Sequence, residues 1–209
     1  MSTMQVPTWK SGAKGQASVD VAFLGDKVLK RTMHAAVIMY ESNKRTGTHS
    51  TLTRAFVARS KKQLFSQKGT GRARVRHPQV VQCRGGGTAK GPHPRDYSYR
   101  MPKQALRAAL RAALASKFAD GEAVMADNLC GAKPSTKALK ALLAGLGAAR
   151  TCLIVDAAPS TALILSARNI PGVTVTSAKD LNAREVLAHK TFLVTDAGLA
   201  ALREVHSHA

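Results

Sequence analysis

The side chains best suited to chemistry lie between Lys61 and Lys103, where lysine and arginine are interspersed with glycine, proline and a few aromatic residues. Guanidinium and ammonium groups neutralise phosphates, and arginine can also stack on a base or contact it through two hydrogen bonds. Glycine lets a backbone approach a phosphate where a Cβ would clash. The aromatic residues Phe65, Tyr97 and Tyr99 could stack on unpaired bases. This combination predicts binding of nucleic acid.

The net charge of the chain is +20, and most of it lies in one stretch. Residues 44–111 contain 17 Lys or Arg and a single acid, Asp96, whereas the remaining residues are nearly balanced in charge. Such an excess indicates a polyanionic partner, of which nucleic acid is the commonest. A membrane partner is not expected, because the sequence has neither a run of about 20 apolar residues nor a basic amphipathic helix with aromatic residues on its apolar face.

The glycines of the basic stretch do not form a nucleotide-binding loop. That loop requires a lysine directly after its last glycine, between a strand and a helix. In RGGGTAKGP, Lys90 precedes Gly91, and Pro92 prevents a helix from following at once. GTGRAR has only two glycines, and no predicted strand leads into it. A mononucleotide site is therefore not predicted.

The histidines are scattered and predict no metal site. His77, Cys83 and His93 share the basic stretch, but their spacing fits no zinc pattern and a fourth ligand is missing. We expect them to be polar loop residues near RNA. His206 and His208 are expected to lie in a fraying tail. No cofactor of any kind is predicted.

Catalytic residues are also hard to nominate. Acids are rare, and the sequence offers no grouping of Ser, His and Asp. Asp156 and Asp196 end apolar strands, where a role in a turn or a helix cap is favoured over catalysis. The three cysteines have neither disulfide nor zinc spacing, and Cys152 is expected to be a small apolar core residue. With no export signal, these features predict a cytoplasmic protein that is not an enzyme.

The elements on either side must position the basic stretch, and they alternate along the chain. Short apolar runs predict strands at residues 6–9, 17–24, 122–129, 151–157, 173–178 and 191–196. Apolar residues at three- and four-residue steps predict helices at residues 31–43, 103–118, 135–146, 161–168, 182–189 and 198–205. Asp120 and Gly121 are the expected stop of the second helix.

This alternation indicates an α/β fold, an open sheet of mostly parallel strands flanked by helices, with a long basic extended loop inserted. The predicted division is a first part of the globular domain at 1–43, the extended loop at 44–102 and the remainder of the globular domain at 103–209. Ordering a loop without a core costs about 1–2 kcal/mol of backbone entropy per residue. The loop is therefore expected to be mobile in the free protein and ordered on RNA.

Two stretches of the loop, QKGTGRAR at 67–74 and RGGGTAKGPHPRDYSYRMPK at 84–103, resemble the hallmark loop of the L-four family of large-subunit ribosomal proteins. HAAVIMYESNKRTGT before the loop and LSARNIPGVTV after it are similar to bacterial members of that family. The resemblance covers nearly the whole chain. The chain differs where KKQLFS stands in place of the family's Lys-Lys-Pro-Trp-Arg run, and where VRHPQVVQC replaces a segment rich in Gly and Ser.

The resemblance implies a structural constituent of the large ribosomal subunit that binds 23S ribosomal RNA and supports early subunit assembly. Its loop would penetrate the RNA and help line the peptide exit tunnel. The implied partners are 23S ribosomal RNA, neighbouring large-subunit ribosomal proteins and the nascent peptide at the tunnel constriction, and the implied location is the large subunit in the cytoplasm. Two alternatives are a repressor of the chain's own operon, acting through its messenger RNA leader, and a nucleotide-dependent RNA-modifying enzyme.

The residues and the resemblance together give one predicted binding set. The predicted RNA-binding residues are Lys44, Arg45, Arg54, Arg59, Lys61, Lys62, Lys68, Gly69, Gly71, Arg72, Arg74, Arg76, Arg84, Gly85, Gly86, Gly87, Lys90, Arg95, Tyr97, Tyr99, Arg100, Lys103, Arg107 and Arg111. The resemblance further assigns a tunnel tip to Lys61, Lys62, Phe65 and Lys68.

Overall fold

The computed structural model describes residues 3–10, 13–25, 28–127, 129–131, 133–148 and 151–207. The chain forms two compact units. The globular unit is drawn from Met1–Glu41 and Arg100–Ala209, and the loop unit is Ser42–Tyr99. The division of the chain into 1–43, 44–102 and 103–209, which was made from the sequence, remains a prediction.

The globular unit is built on one six-stranded sheet in the order β2-β1-β3-β6-β4-β5. The strands are β1 Thr3–Lys10, β2 Ala13–Asp20, β3 Ala123–Ala126, β4 Cys152–Asp156, β5 Val173–Ser177 and β6 Thr191–Val194. β1 and β2 are antiparallel, and the other neighbours pair in parallel. The predicted α/β class, with an open and mostly parallel sheet, is confirmed.

Helices are formed where the apolar periodicity predicts them. They are α1 Lys30–Asn43, α2 Lys103–Ala119, α3 Thr136–Gly145, α4 Thr161–Ala167, α5 Ala183–Ala188 and α6 Asp196–Ser207, with a short 3-10 helix at Ala22–Leu24. Among the described residues, no helix combines the length and the apolar character that crossing a membrane requires.

The predicted strand at 17–24 is wrong at both ends. The pairing with β1 starts earlier, with Ala13 opposite Lys10, and β2 ends at Asp20. There the Asp20 carboxylate accepts the Ala22 N–H at 3.0 Å and turns the chain into the 3-10 helix, which buries Leu24. The apolar residues after Asp20 therefore reach the core from a helical turn and not from a strand.

The core lies on both faces of the sheet, as the continuous apolar run of β4 predicts. Leu153 and Val155 face the cluster that contains buried residues of α1, α2, α5 and α6. Cys152 and Ile154 face the smaller cluster with α3 and α4. Cys152 is 1% exposed within the smaller cluster, and this confirms that it is an apolar core residue. The same burial raises the pKa of its thiol to about 12.

Helix α2 carries the chain back from the loop unit into this core. It starts after Pro102, buries Ala109, Ala113 and Leu114, and ends at Ala119. Gly121 follows with φ 68°, a left-handed conformation that suits glycine at a helix end. The predicted stop of this helix is confirmed.

The carboxyl end of β4 holds a polar cluster that serves the fold. The Thr195 hydroxyl donates to Asp156 Oδ1 at 2.7 Å and accepts the Gly198 N–H at 2.9 Å, so that Thr195 caps the start of α6. Asp156 Oδ1 also accepts the Ala157 N–H at 2.8 Å. The predicted turn role of Asp156 is confirmed, whereas the helix cap is Thr195. The prediction that Asp196 ends a strand is wrong, because β6 ends at Val194 and Asp196 is the first residue of α6.

Candidate nucleic-acid interface

The loop unit consists of an outgoing arm (residues 42–60), a tip (61–77) and a returning arm (78–99). Backbone hydrogen bonds join the two arms: Arg95 N–H donates to Gly47 O at 3.2 Å, Thr51 N–H to Pro92 O at 3.1 Å and Thr88 N–H to Leu52 O at 2.8 Å. Partner numbers fall on one arm as they rise on the other. The arms therefore run antiparallel, without regular strand structure.

One buried amide side chain connects the arms at the level of the tip. Gln79 is 4% exposed, and its Nε2 donates to Val57 O at 2.7 Å and to Arg59 O at 2.9 Å. Arg59 in turn donates from Nη1 to Arg84 O at 2.5 Å. Buried polar groups need hydrogen-bond partners. These bonds hold the two arms together at a place where other proteins would use an apolar core. The loop unit is organised by polar contacts.

Two neighbouring glycines allow close backbone packing, Gly86 within the returning arm and Gly87 between the two arms. A Cβ added to Gly86 would lie 1.9 Å from Val80 O, and one added to Gly87 would lie 2.2 Å from Arg54 N. Contacts this short are impossible for any larger residue. The structure thus gives these two predicted glycines a role inside the loop unit itself.

Tyr97 lies at the base of the arms among basic side chains. The guanidinium carbon of Arg45 is 3.9 Å from the centre of its ring, and that of Arg95 is 4.4 Å away. Its hydroxyl oxygen is 3.4 Å from His49 Nε2. Cation–π contacts of this kind hold both guanidiniums in place. Three predicted residues are therefore brought together here, with the tyrosine ring engaged inside the loop unit.

The tip is held by a backbone bond from Leu64 N–H to Arg76 O at 3.1 Å. Of the four predicted tunnel-tip residues, Phe65 is half-buried and the three lysines are exposed. An open cleft of about 430 Å³ lies beside them, lined by Lys61, Gln63, Gln67, Arg76 and His77. The cationic side chains of Lys61 and Arg76, together with the amide and imidazole groups, suit a phosphate better than an apolar ligand.

The acid of the loop unit, Asp96, offsets only one of its positive charges. Asp96 accepts the Ser98 N–H at 2.8 Å and the Ser98 hydroxyl at 2.9 Å. These hydrogen bonds, the backbone one first, lower the pKa of the Asp96 carboxyl. The same unit contains thirteen Lys or Arg, so its net charge remains strongly positive.

The predicted basic residues are almost uniformly accessible. Thirteen lie in the loop unit, and Arg100, Lys103, Arg107 and Arg111 lie in the globular unit, the last three on α2. All are exposed except Arg111, which is half-buried and whose Nε has no hydrogen-bond partner among the described residues. Lys90 has a φ of 50°, which is uncommon for a residue with a Cβ.

Within the described parts of the chain, no three His, Cys, Asp or Glu side chains come together as a metal site would require. Exposed cations on a polar scaffold can instead bind phosphates.

Comparison with known proteins identifies the family of the chain that carries this interface. Residues 17–205 match the sequence profile of the ribosomal protein L4/L1 family. The chain belongs to this family. It is therefore a ribosomal protein and not an enzyme, and the resemblance seen in the loop motif is confirmed.

Curated relatives in bacteria carry the name large ribosomal subunit protein uL4. That of Symbiobacterium thermophilum is 41% identical over 94% of this chain and 95% of its own length. That of Desulforudis audaxviator is 40% identical over 91% of this chain and 92% of its own. That of Rhodopirellula baltica is 39% identical over 91% of this chain and 86% of its own. The likeness thus extends over the globular unit as well as the loop.

In this member of the family, sequence reasoning missed several residues that shape the interface. Gln79 and His49 show no signal in the sequence, because their partners lie 20 or more residues away. Gly47 has a φ of 66°, and a Cβ there would lie 2.1 Å from Arg95 O. Phe56 is 74% exposed, although it was not among the predicted aromatic contacts.

Proposed function

We propose that the chain is a structural component of the large ribosomal subunit that binds 23S ribosomal RNA through its loop unit. The observation that carries this proposal is the pair of antiparallel arms, joined by hydrogen bonds, from which all thirteen Lys and Arg side chains of the loop unit are exposed. Family membership and the name of the bacterial relatives support the same assignment.

The chemistry is charge neutralisation. RNA helices that converge in a folded subunit repel one another through their phosphates, and bound cations relieve that repulsion. A loop without a carboxylate other than Asp96, itself bonded to Ser98, delivers nearly all of its positive charge to the RNA. In the globular unit, Arg100 and Arg107 are also exposed and are proposed to contact RNA. Neighbouring ribosomal proteins and assembly of the subunit belong to the same proposal.

The test is sedimentation of a cell lysate that contains the full-length chain. We expect the chain to sediment with large subunits. Replacing Arg72, Arg74 and Arg76 by glutamine should lower its incorporation several-fold. Replacing Lys133, Lys137 and Lys140, exposed lysines at and before α3, removes the same charge and should have little effect. Wild-type protein absent from large subunits would overturn the proposal.

The tip residues Lys61, Lys62, Phe65 and Lys68 are proposed to line the peptide exit tunnel and to face the nascent peptide. Their support is the resemblance of the loop motif and the exposure of the three lysines. A photoreactive phenylalanine in place of Phe65 should crosslink to a radiolabelled nascent chain in stalled ribosomes. The same group in place of Lys140 should not. Equal crosslinking from both positions would contradict a tunnel location.

Repression of the chain's own operon would use the same basic side chains. No feature of the described residues favours it over ribosomal binding.

A further inference from the structure

The most exposed large apolar side chain in the described part of the protein is Phe56, at 74%. It belongs to the outgoing arm of the loop unit. The other aromatic side chains of that unit are more enclosed: Phe65 and Tyr97 are half-buried, and Tyr99 is 41% exposed. Phe56 therefore presents more accessible aromatic surface than any residue nominated from the sequence.

The backbone that presents Phe56 is anchored. Phe56 N–H donates to Thr53 O at 2.9 Å, and Val57 N–H donates to the same oxygen at 3.3 Å, which forms a tight turn. After the turn, the buried Gln79 amide holds the carbonyls of Val57 and Arg59. Before the turn, Thr88 N–H donates to Leu52 O.

These bonds fix the turn at both ends, and the phenyl ring of Phe56 is exposed on it. Scattered exposed apolar residues are ordinary on protein surfaces. Phe56 differs from them because hydrogen bonds hold the backbone on both sides of it, so that the position from which the ring projects is fixed.

The charge around the turn selects the class of partner. Arg54 is exposed two residues before Phe56, Arg59 is exposed three residues after it, and the acid of this unit, Asp96, is forty residues away along the chain. An apolar ring between cations suits a partner that has a flat apolar face and an adjoining negative charge. An unpaired nucleotide has both, in its base and its phosphate.

We propose that Phe56 stacks on one unpaired base of the bound RNA while Arg54 neutralises an adjoining phosphate. Arg59, whose guanidinium is bonded to Arg84 O, is a positioning residue that joins the turn to the returning arm. This inference rests on the proposed RNA-binding function and adds a stacking site to it.

A fluorescent reporter can detect the stack directly. Replacing Trp9, the one tryptophan of the chain, by phenylalanine and Phe56 by tryptophan leaves a single indole on the turn. Fluorescence quenching is expected when a single-stranded RNA 12-mer is added, and much less with a fully paired RNA duplex. Equal quenching by both would overturn the stacking site.

Affinity measurements on the full-length chain separate stacking from charge. Phe56→Ala should weaken binding of the single-stranded RNA about 5- to 150-fold, the range for loss of one stacked base. Phe56→Leu should lose most of the same affinity, whereas Phe56→Tyr should retain it. Leu52→Ala, which shortens an exposed apolar side chain on the same arm, is the matched control and should have little effect.

The outcomes distinguish this inference from the function on which it rests. If the wild type binds RNA and Phe56→Ala binds it equally well, the stacking site is wrong and the RNA-binding function stands. If the wild type binds no RNA, both are wrong. If Phe56→Ala keeps its RNA affinity but enters large subunits poorly, the ring contacts a protein, and the stacking site is again overturned.

Discussion

His206 shows at the scale of a single residue how the globular unit buries a group that the sequence placed in a fraying tail. It lies in α6, is 4% exposed, and its ring stacks on Phe23 with centroids 6.4 Å apart. Neither ring nitrogen has a hydrogen-bond partner among the described residues. The expectation of a fraying tail is therefore wrong for His206, while His208 lies outside the described residues.

Burial, with the positive charges of Arg111 and Arg107, lowers the pKa of His206. The unfolded chain then takes up a proton near its ordinary pKa of about 6.5, where the folded chain does not. Stability should therefore be unaffected by this group above that pH and should fall as pH drops through it.

His206→Phe, which keeps a ring beside Phe23 and cannot be protonated, should reduce the loss of stability between pH 7.5 and 5.5. Denaturant unfolding at several pH values measures it. His34→Gln, which removes an exposed imidazole from α1, is the control with which the pH slope of His206→Phe is compared. An unaltered pH slope in His206→Phe would contradict the assignment.

At the scale of elements, the globular unit and the loop unit are each stabilised internally by a different kind of interaction. β4 and β6 are enclosed on both faces by apolar side chains. The arms of the loop unit have exposed side chains and are joined by single hydrogen bonds such as that from Thr88 N–H to Leu52 O. A net hydrogen bond contributes only about 1 kcal/mol, so the arms should open far more easily than the sheet.

Hydrogen exchange of the free protein should accordingly show loop amides exchanging well before those of β4 and β6. Gln79→Ala removes two bonds to carbonyls of the outgoing arm and should speed exchange at Gly87 and Thr88 by about 5- to 100-fold. Gln82→Ala, at an exposed glutamine of the returning arm that also contains Gln79, should leave the exchange of these amides unchanged. Loop amides as protected as the sheet in the free protein would contradict this prediction.

The positive charge of the whole molecule is concentrated in the loop unit and in the residues that follow it up to Arg111. Residues 44–111 carry +16 of the net charge of +20. Because each phosphate contact releases condensed counterions, RNA affinity should fall steeply with salt. Because the charge is localised, the slope of log affinity against log salt should depend on which basic residues are replaced.

Replacing Arg72, Arg74 and Arg76 by glutamine should reduce the slope of log affinity against log salt by about 2 to 3, since each contact contributes about 0.7 to 0.9. Filter binding of a 23S ribosomal RNA fragment at several KCl concentrations measures it. The Lys133, Lys137 and Lys140 variant should keep the wild-type slope. If both variants flatten the slope equally, the loop is not the main phosphate-binding surface.

The fold class, most helix positions and the charged character of the interface follow from local properties of the sequence. The buried run CLIVD, the leucine spacing of α2 and the clustering of cations each depend on residues close together in the chain, and such patterns survive in any fold that buries apolar groups. The family, too, is recognisable from the contiguous loop motif.

Other features are decided only when distant residues meet. The order β1-β3-β6-β4-β5 requires crossovers that periodicity does not encode, and β2 ends early because the Asp20 carboxylate captures the Ala22 N–H. Three contacts join segments about 20 to 180 residues apart: the bonds of Gln79, the Arg45 guanidinium over Tyr97 and the packing of His206 on Phe23. Composition thus determined that this protein binds a polyanion, and the tertiary contacts decided which side chains are left to face it.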